Sequence, residues 1–125
     1  HTTLEISGRP LAVRAVSEDI IWIEFEELCQ RPRSARDYLE LAREFHTLLL
    51  QGVPRLGEEL DEAVRRFIHL VDALYDHGVK LIATAAAKPD ELYTGERLQT
   101  QFARTASRLT EMSGSIYLAR PHRPD

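Results

Sequence analysis

Apolar side chains recur at helical spacing between residues 61 and 78, the most regular stretch of the chain. Positions i, i+3, i+4, i+7, i+10 and i+11 are filled by Val64, Phe67, Ile68, Val71, Leu74 and Tyr75. Asp61 is placed to begin this helix and Gly78 to end it. The pattern predicts an amphipathic helix with one face in the core and one in solvent.

Short runs of apolar residues flank this helix on both sides. The run at residues 48–50 is followed by Gly52 and Pro54, which we expect to stop it, and residues 79–85 read VKLIATA. Both runs are typical of buried strands. A strand, a long helix and a second strand form a βαβ unit, which favours parallel pairing of the two strands.

Three other segments complete the predicted fold. Residues 4–25 alternate apolar and polar positions, which indicates two or three short strands. Ser34 and Asp37 resemble a capping box ahead of a helix over residues 35–45, and residues 102–112 form a last helix. The sequence therefore predicts an α/β fold: a single domain with N-terminal short antiparallel strands, a βαβ unit and a C-terminal helix packed on a small sheet.

The last predicted helix carries two arginines four positions apart. Leu98, Phe102, Ala106, Leu109 and Met112 share its apolar side, so Arg104 and Arg108 lie together on the polar side. Guanidinium groups match phosphate oxygens in geometry, which makes this face a candidate nucleotide-sensing or anion-binding surface. The alternative is a solvated helix face on which Arg108 pairs with Glu111. The spacing leaves both interpretations open.

Composition narrows the function classes. The chain has 125 residues, a formal net charge of −4 and a single cysteine, Cys29. This length suits one domain, and the acidic balance argues against a dedicated nucleic-acid surface. No apolar stretch is long enough to span a bilayer. A lone cysteine excludes an internal disulfide and fits a reducing compartment, so we expect a cytoplasmic protein.

The chain lacks the motifs that enzymes of common classes require. It contains no GxxxxGK[ST] phosphate loop and no GxGxxG turn, and residues 48–50 run into Gln51 rather than into paired acids. His69, Asp72 and Asp76 lie at i, i+3 and i+7, but three such residues on a charged helix face are a thin ligand set, and we predict no metal site. Arg31 and Arg33 could activate Cys29, yet no histidine is placed beside it. We expect no catalytic residues and no ATP hydrolysis by the chain alone.

Two further arginines, Arg65 and Arg66, stand at the start of the long helix, and one of them must face outward. They could reach the phosphate of another subunit, or they could be solvated beside acidic neighbours. The residues alone do not decide between these alternatives.

Several motifs, taken in their order along the chain, resemble a known family. They are WIEFEELCQRPRSARDYLELAREFHTLLLQGVPRL from Trp22, RRFIHLVDALYDHGVKLIATA from Arg65, ELY, FARTASRLTEM from Phe102, and Tyr117-Leu118. This succession is similar to the C-terminal part of the AFG-type (ZapE-like) P-loop ATPases, and the similarity covers nearly the whole chain from Trp22 onward.

The resemblance implies an AAA-like, ATP-binding parent protein whose phosphate loop and metal-binding acids lie upstream of His1. Residues 1–125 would then be its C-terminal domain, and ATP and Mg²⁺ would be bound by the missing part. The implied partners are the upstream P-loop domain of the same chain, further copies of the protein, and a client or cell-division protein. Family members are associated with bacterial cell division or with mitochondrial protein quality control, and a bacterial cytoplasmic protein is the expectation here.

Two functions follow as hypotheses. In the first, the chain is a regulatory and assembly domain, and Arg104 and Arg108 offer positive charge to nucleotide held by the missing domain or by a neighbouring subunit, with Arg65 and Arg66 as second choices. In the second, the arginine face and the Trp22 region dock a client or a division protein and never meet nucleotide.

Overall fold

A computed structural model describes residues 2–125, and His1 lies outside the described residues. In these described residues, six strands and six helices follow one another in chain order: β1 Thr2–Ile6, β2 Arg9–Val13, β3 Ala15–Val16, β4 Ile20–Glu24, α1 Phe25–Cys29, α2 Ala35–Glu44, β5 Thr47–Val53, α3 Asp61–Asp76, β6 Lys80–Ala85, α4 Pro89–Leu92, α5 Gln99–Met112 and α6 Ser115–Leu118. A 3-10 turn, Glu58–Leu60, precedes α3. The α/β prediction is confirmed.

The strands form two sheets. β1 and β2 make an antiparallel hairpin, and the second sheet has the order β3-β4-β5-β6. β5 and β6, which precede and follow α3 in the chain, pair in parallel, and this confirms the predicted βαβ unit. β4 also runs parallel to β5, whereas β3 pairs antiparallel with β4. The alternation that identified β4 as a strand contains no information about its partner, so this second parallel pair was not predicted.

β5 is longer than its apolar run suggested. Gly52 and Pro54 were expected to end the strand, but β5 continues through Gly52 to Val53. The register against β6 shifts between Leu50 and Val53, and Gly52 adopts a φ of +83°. Glycine tolerates this left-handed backbone at little cost, so the irregularity lets the strand continue where another residue would be strained.

One face of the larger sheet carries the core. Ile21, Ile23, Leu48 and Leu50 are at most 1% exposed and belong to the same buried cluster as the apolar face of α3. Phe67 of α3 joins the layers, because its ring contacts Phe25 edge-on at 5.7 Å and Phe102 of α5 at 6.3 Å between ring centroids. Aromatic rings of this size contribute most to the burial that holds three helices together.

The start of α2 is fixed by the predicted capping box, which is confirmed. Ser34 Oγ accepts from the Asp37 amide, and Asp37 Oδ2 accepts from the Ser34 amide. The Asp37 side chain is 1% exposed and also accepts a 2.8 Å bond from Arg9 at the β1–β2 hairpin. A buried carboxylate needs such a partner, so Arg9 ties the hairpin to the helical layer.

Candidate functional site

The polar face of α3 and the polar face of α5 lie side by side. The stacking of Phe67 on Phe102 holds the two helices together on their buried side, since each ring belongs to the apolar face of its own helix. Arg65, His69 and Asp72 of α3 thereby come next to Arg104 and Arg108 of α5. Arg65 of the first arginine pair and both members of the second therefore contribute to one surface.

Asp72 is the acceptor for both arginines of α5. Its Oδ1 accepts from Arg108 Nη1 at 2.6 Å, and its Oδ2 accepts from Arg104 Nη2 at 3.3 Å. The side chains of Asp72 and Arg108 are each 26% exposed, whereas that of Arg104 is 61% exposed. The short, half-buried contact is the stronger of the two, because a charge-assisted bond gains strength as water is excluded.

Arg108 is held from a second side by Tyr75. The guanidinium carbon lies 4.6 Å from the centroid of the Tyr75 ring, and Tyr75 Oη donates to Glu111 Oε2 at 2.7 Å. That hydrogen bond, followed by burial, raises the pKa of Tyr75. The alternative in which Arg108 pairs with Glu111 is wrong within residues 2–125, because Arg108 pairs with Asp72 and Glu111 receives the tyrosine hydroxyl.

A groove between α3 and α5, here called the α3–α5 groove, has a volume of about 500 Å³. Its lining is Arg65, Ile68, His69, Asp72, Leu98, Thr100, Gln101 and Arg104. The groove is thus lined by one carboxylate and by five groups that can donate hydrogen bonds: two guanidinium groups, an imidazole, an amide and a hydroxyl. This donor set suits an anionic group such as a phosphate or a carboxylate.

Arg66 lies away from this groove. Its Nη1 donates to the backbone carbonyl of Cys29 at 3.1 Å, which joins α3 to the end of α1. Of the four arginines singled out in the sequence, the structure therefore brings Arg65, Arg104 and Arg108 together and leaves Arg66 on another face.

The structure offers no support for metal or thiol chemistry. Residues 2–125 contain no group of three or more His, Cys, Asp and Glu side chains placed to hold a metal ion, and Asp72 is engaged by two arginines. The Cys29 side chain is fully buried, and burial raises the pKa of its thiol despite a hydrogen bond with Tyr38 and the charge of Arg66. A neutral, covered thiol is a poor nucleophile.

Two polar residues late in β5 and β6 are used for internal bonds. Gln51, which stands where paired acids would be, accepts from the Trp22 indole at 2.9 Å. Thr84, near the end of β6, accepts from the Gly52 amide at 2.8 Å. Because the chain also lacks a phosphate loop, its residues do not fit a complete ATP–Mg²⁺ site.

Sequence reasoning missed Asp72 and Tyr75 as partners of Arg108. Asp72 was considered beside His69 and Asp76 and as an acidic neighbour of the arginines of its own helix, and Tyr75 as an apolar position. No signal in the sequence could have found these contacts, because nothing in the spacing of either helix says that α5 packs along α3.

No helix in the described part of the chain is both long and apolar enough to cross a membrane.

Comparison with known proteins places the chain among ATPase relatives. The family model described as AFG1-like ATPase matches residues 1–121. Cell division protein ZapE of Escherichia coli (strain K12) is 43% identical over 120 residues, which cover 96% of this chain and 32% of that protein. Lactation elevated protein 1 homolog B of Danio rerio is 34% identical over 109 residues, which cover 87% of this chain and 22% of that protein. No solved structure matches significantly. The chain thus spans about a third, or less, of the length of these relatives.

Proposed function

Because the chain belongs to the AFG1-like ATPase family, we propose that it is the C-terminal regulatory and assembly domain of a longer ATP-binding, ATP-hydrolysing protein. In this proposal the phosphate loop and the Mg²⁺ ligands are provided by the rest of that protein, and the isolated chain does not hydrolyse ATP. The α3–α5 groove presents positive charge to nucleotide bound by the P-loop domain of the same polypeptide or of a neighbouring copy.

The observation that carries the proposal is the unequal state of the two α5 arginines. Arg108 is fixed by a 2.6 Å bond to Asp72 and by the Tyr75 ring, whereas Arg104 is largely exposed and reaches Asp72 only at 3.3 Å. An exposed ion pair of this kind is worth about 0.2–1 kcal/mol, so an incoming phosphate can take Arg104 from Asp72 at small cost. We therefore assign Arg104 to the anion and Arg108 to positioning Asp72.

Arg65 ranks next. It is exposed and shares the α3–α5 groove with Arg104, so the same anion is within the reach of both helices. Arg66 is the weakest candidate, since its guanidinium is engaged by the Cys29 carbonyl on another face.

The test is ATP turnover by the full-length protein. We expect Arg104→Ala to lower kcat at least about tenfold, since an arginine supplied to a phosphoryl-transfer site stabilises developing charge and can contribute far more than that. Arg36→Ala is the matched control, because Arg36 is an exposed arginine on α2, away from the groove. Circular dichroism and thermal unfolding establish that each variant is folded. The assignment would be rejected if kcat were unchanged in both single variants, Arg104→Ala and Arg65→Ala.

A second candidate function is a protein-interaction module that docks a client or division protein without contacting nucleotide. The similarity to Cell division protein ZapE of Escherichia coli is the observation that favours it. Binding of such a partner to the full-length protein without ATP, together with normal turnover by Arg104→Ala, would support this second function over the first.

A further inference from the structure

The centre of the face of the β3-β4-β5-β6 sheet opposite the core is apolar and open. The registers place Trp22 beside Leu49 and Leu49 beside Ile82, so these three side chains form a row across three parallel strands. Ile82 is 59% exposed, and Ile20 at the start of β4 is 39% exposed. The row borders a shallow depression of about 280 Å³, which Gln51 and Thr84 also line. We call this surface the outer sheet face.

β6 is open in a second way. It lies at the end of the strand order, with β5 as its neighbour on one side. Its sequence, KLIATA, has no charge after Lys80, and residues 82–86 are all exposed in the described chain. Protein edge strands are normally short, charged, interrupted by proline or covered, because an open apolar edge invites pairing with other chains. From Ile82 to Ala85, β6 carries neither a charge nor a proline and is exposed.

Parallel sheets are almost always covered on both faces. Here the buried residues Ile21, Ile23, Leu48 and Leu50 turn one face of the sheet to the core. On the other face Ile82 is 59% exposed, and the Trp22 ring is met by the Arg14 guanidinium, 5.1 Å from its centroid. The half-covered parallel sheet is therefore the physical reason to expect a further layer.

We infer that the outer sheet face and the free edge of β6 are covered by another segment of the same full-length polypeptide. This rests on the proposed function only in taking the chain as one part of a longer ATPase. The relatives supply the material: the matched region is 32% of the Escherichia coli protein, so about two thirds of that polypeptide lies outside it. A layer from the same polypeptide also covers the face at any protein concentration, so the sheet does not depend on association with another molecule.

Thiol accessibility in the full-length protein tests the inference. Ile82→Cys places a reporter in the row, and Ile116→Cys is the matched control, because Ile116 is an isoleucine that is 86% exposed on α6. Thr84→Cys is a second reporter on the same face. Maleimide labelling is followed by peptide mass spectrometry, which separates each reporter from Cys29 and from other cysteines. We expect Ile82→Cys to react at least about tenfold more slowly than Ile116→Cys, since a covered thiol reacts only during local opening.

The outcomes separate the occupants. Slow labelling that stays the same over an approximately tenfold range of protein concentration supports the inference. Equal rates for Ile82→Cys, Thr84→Cys and Ile116→Cys would overturn it, and so would protection that disappears on dilution, because that would identify a second copy as the cover. No step depends on nucleotide or on Arg104, so a failure here is distinguishable from a failure in the turnover experiment.

Discussion

Arg108 of α5 lies over the ring of Tyr75 of α3, with its guanidinium carbon 4.6 Å from the ring centroid, while the same side chain donates to Asp72 at 2.6 Å. Two different attractions thus fix one arginine between two helices. Its neighbour Arg104, one turn away on the same helix face, has only the 3.3 Å contact with Asp72 among residues 2–125. Equal spacing in the sequence has given two arginines with unequal freedom.

This difference predicts unequal effects on stability. Arg108→Ala removes a charge-assisted hydrogen bond and a cation–π contact, so we expect the free energy of unfolding to fall by about 1–2 kcal/mol. Arg104→Ala removes an exposed ion pair, and the loss should stay within about 0.5 kcal/mol. Chemical denaturation of both variants measures this. Equal losses would contradict the assignment of Arg108 as the positioning residue.

Cys29 should be silent towards thiol reagents in the folded protein. Burial raises the pKa of its thiol and removes it from solvent, so neither the thiolate nor access is available near neutral pH. We expect labelling to follow global unfolding, with rates that rise in proportion to the unfolded fraction as urea is added. Fast labelling without denaturant, at a rate near that of a free thiol, would show that α1 opens on its own.

Tyr117 should make the protein sensitive to alkaline pH. Its hydroxyl donates to the backbone carbonyl of Val79 at 2.7 Å and lies 3.1 Å from the carbonyl oxygen of Leu74, and burial raises the pKa of Tyr117 to about 12. A tyrosine has a pKa of about 10 in an unfolded chain. Because the folded state favours the neutral phenol, its contribution is complete below pH 10 and is lost as the pH rises to about 12.

Tyr117→Phe isolates this effect. The variant should be less stable than the parent at pH 8 by about 0.5–1.5 kcal/mol, since it lacks the two hydroxyl contacts. Its stability should then decline less steeply between pH 10 and 12, so the two denaturation curves converge. Parallel decline of both proteins would show that Tyr117 does not titrate in this range.

Gly78 joins the end of α3 to the C-terminal residues, and its substitution should loosen both. It has a φ of +67°, and an added Cβ would lie 2.6 Å from the carbonyl oxygen of Pro121. Gly78→Ala therefore combines backbone strain with a clash against the C-terminal residues. These are held by two hydrogen bonds: Lys80 Nζ donates to the Arg120 carbonyl, and the Arg123 amide donates to the His77 carbonyl. We expect a loss of about 1–3 kcal/mol.

Gly8→Ala is the control for that experiment. Gly8 has a similar φ of +78°, but an added Cβ would meet no atom within 4 Å. The difference between the two variants therefore measures the contact with Pro121 apart from the backbone term. If both variants lose the same stability, the C-terminal residues are not held by Gly78.

Much of the fold could be read from local pattern. The apolar spacing of α3 and the Ser34–Asp37 capping box each depend on residues within a few positions of one another, and both are confirmed. The extension of β5 through Gly52 could not be read in this way. A glycine can end a strand or allow it to continue through a register shift, and the pairing with the neighbouring strand decides between the two.

The sequence by itself determined the class of fold, the positions of the main helices and which arginines face away from the core, because periodicity is a property of each segment alone. Only the tertiary structure decided that Asp72 of α3 meets Arg104 and Arg108 of α5, that Arg66 turns to Cys29, and that the row at Ile82 lies open. Those relationships join residues far apart in the chain, and their energies depend on distance and burial, which no local pattern records.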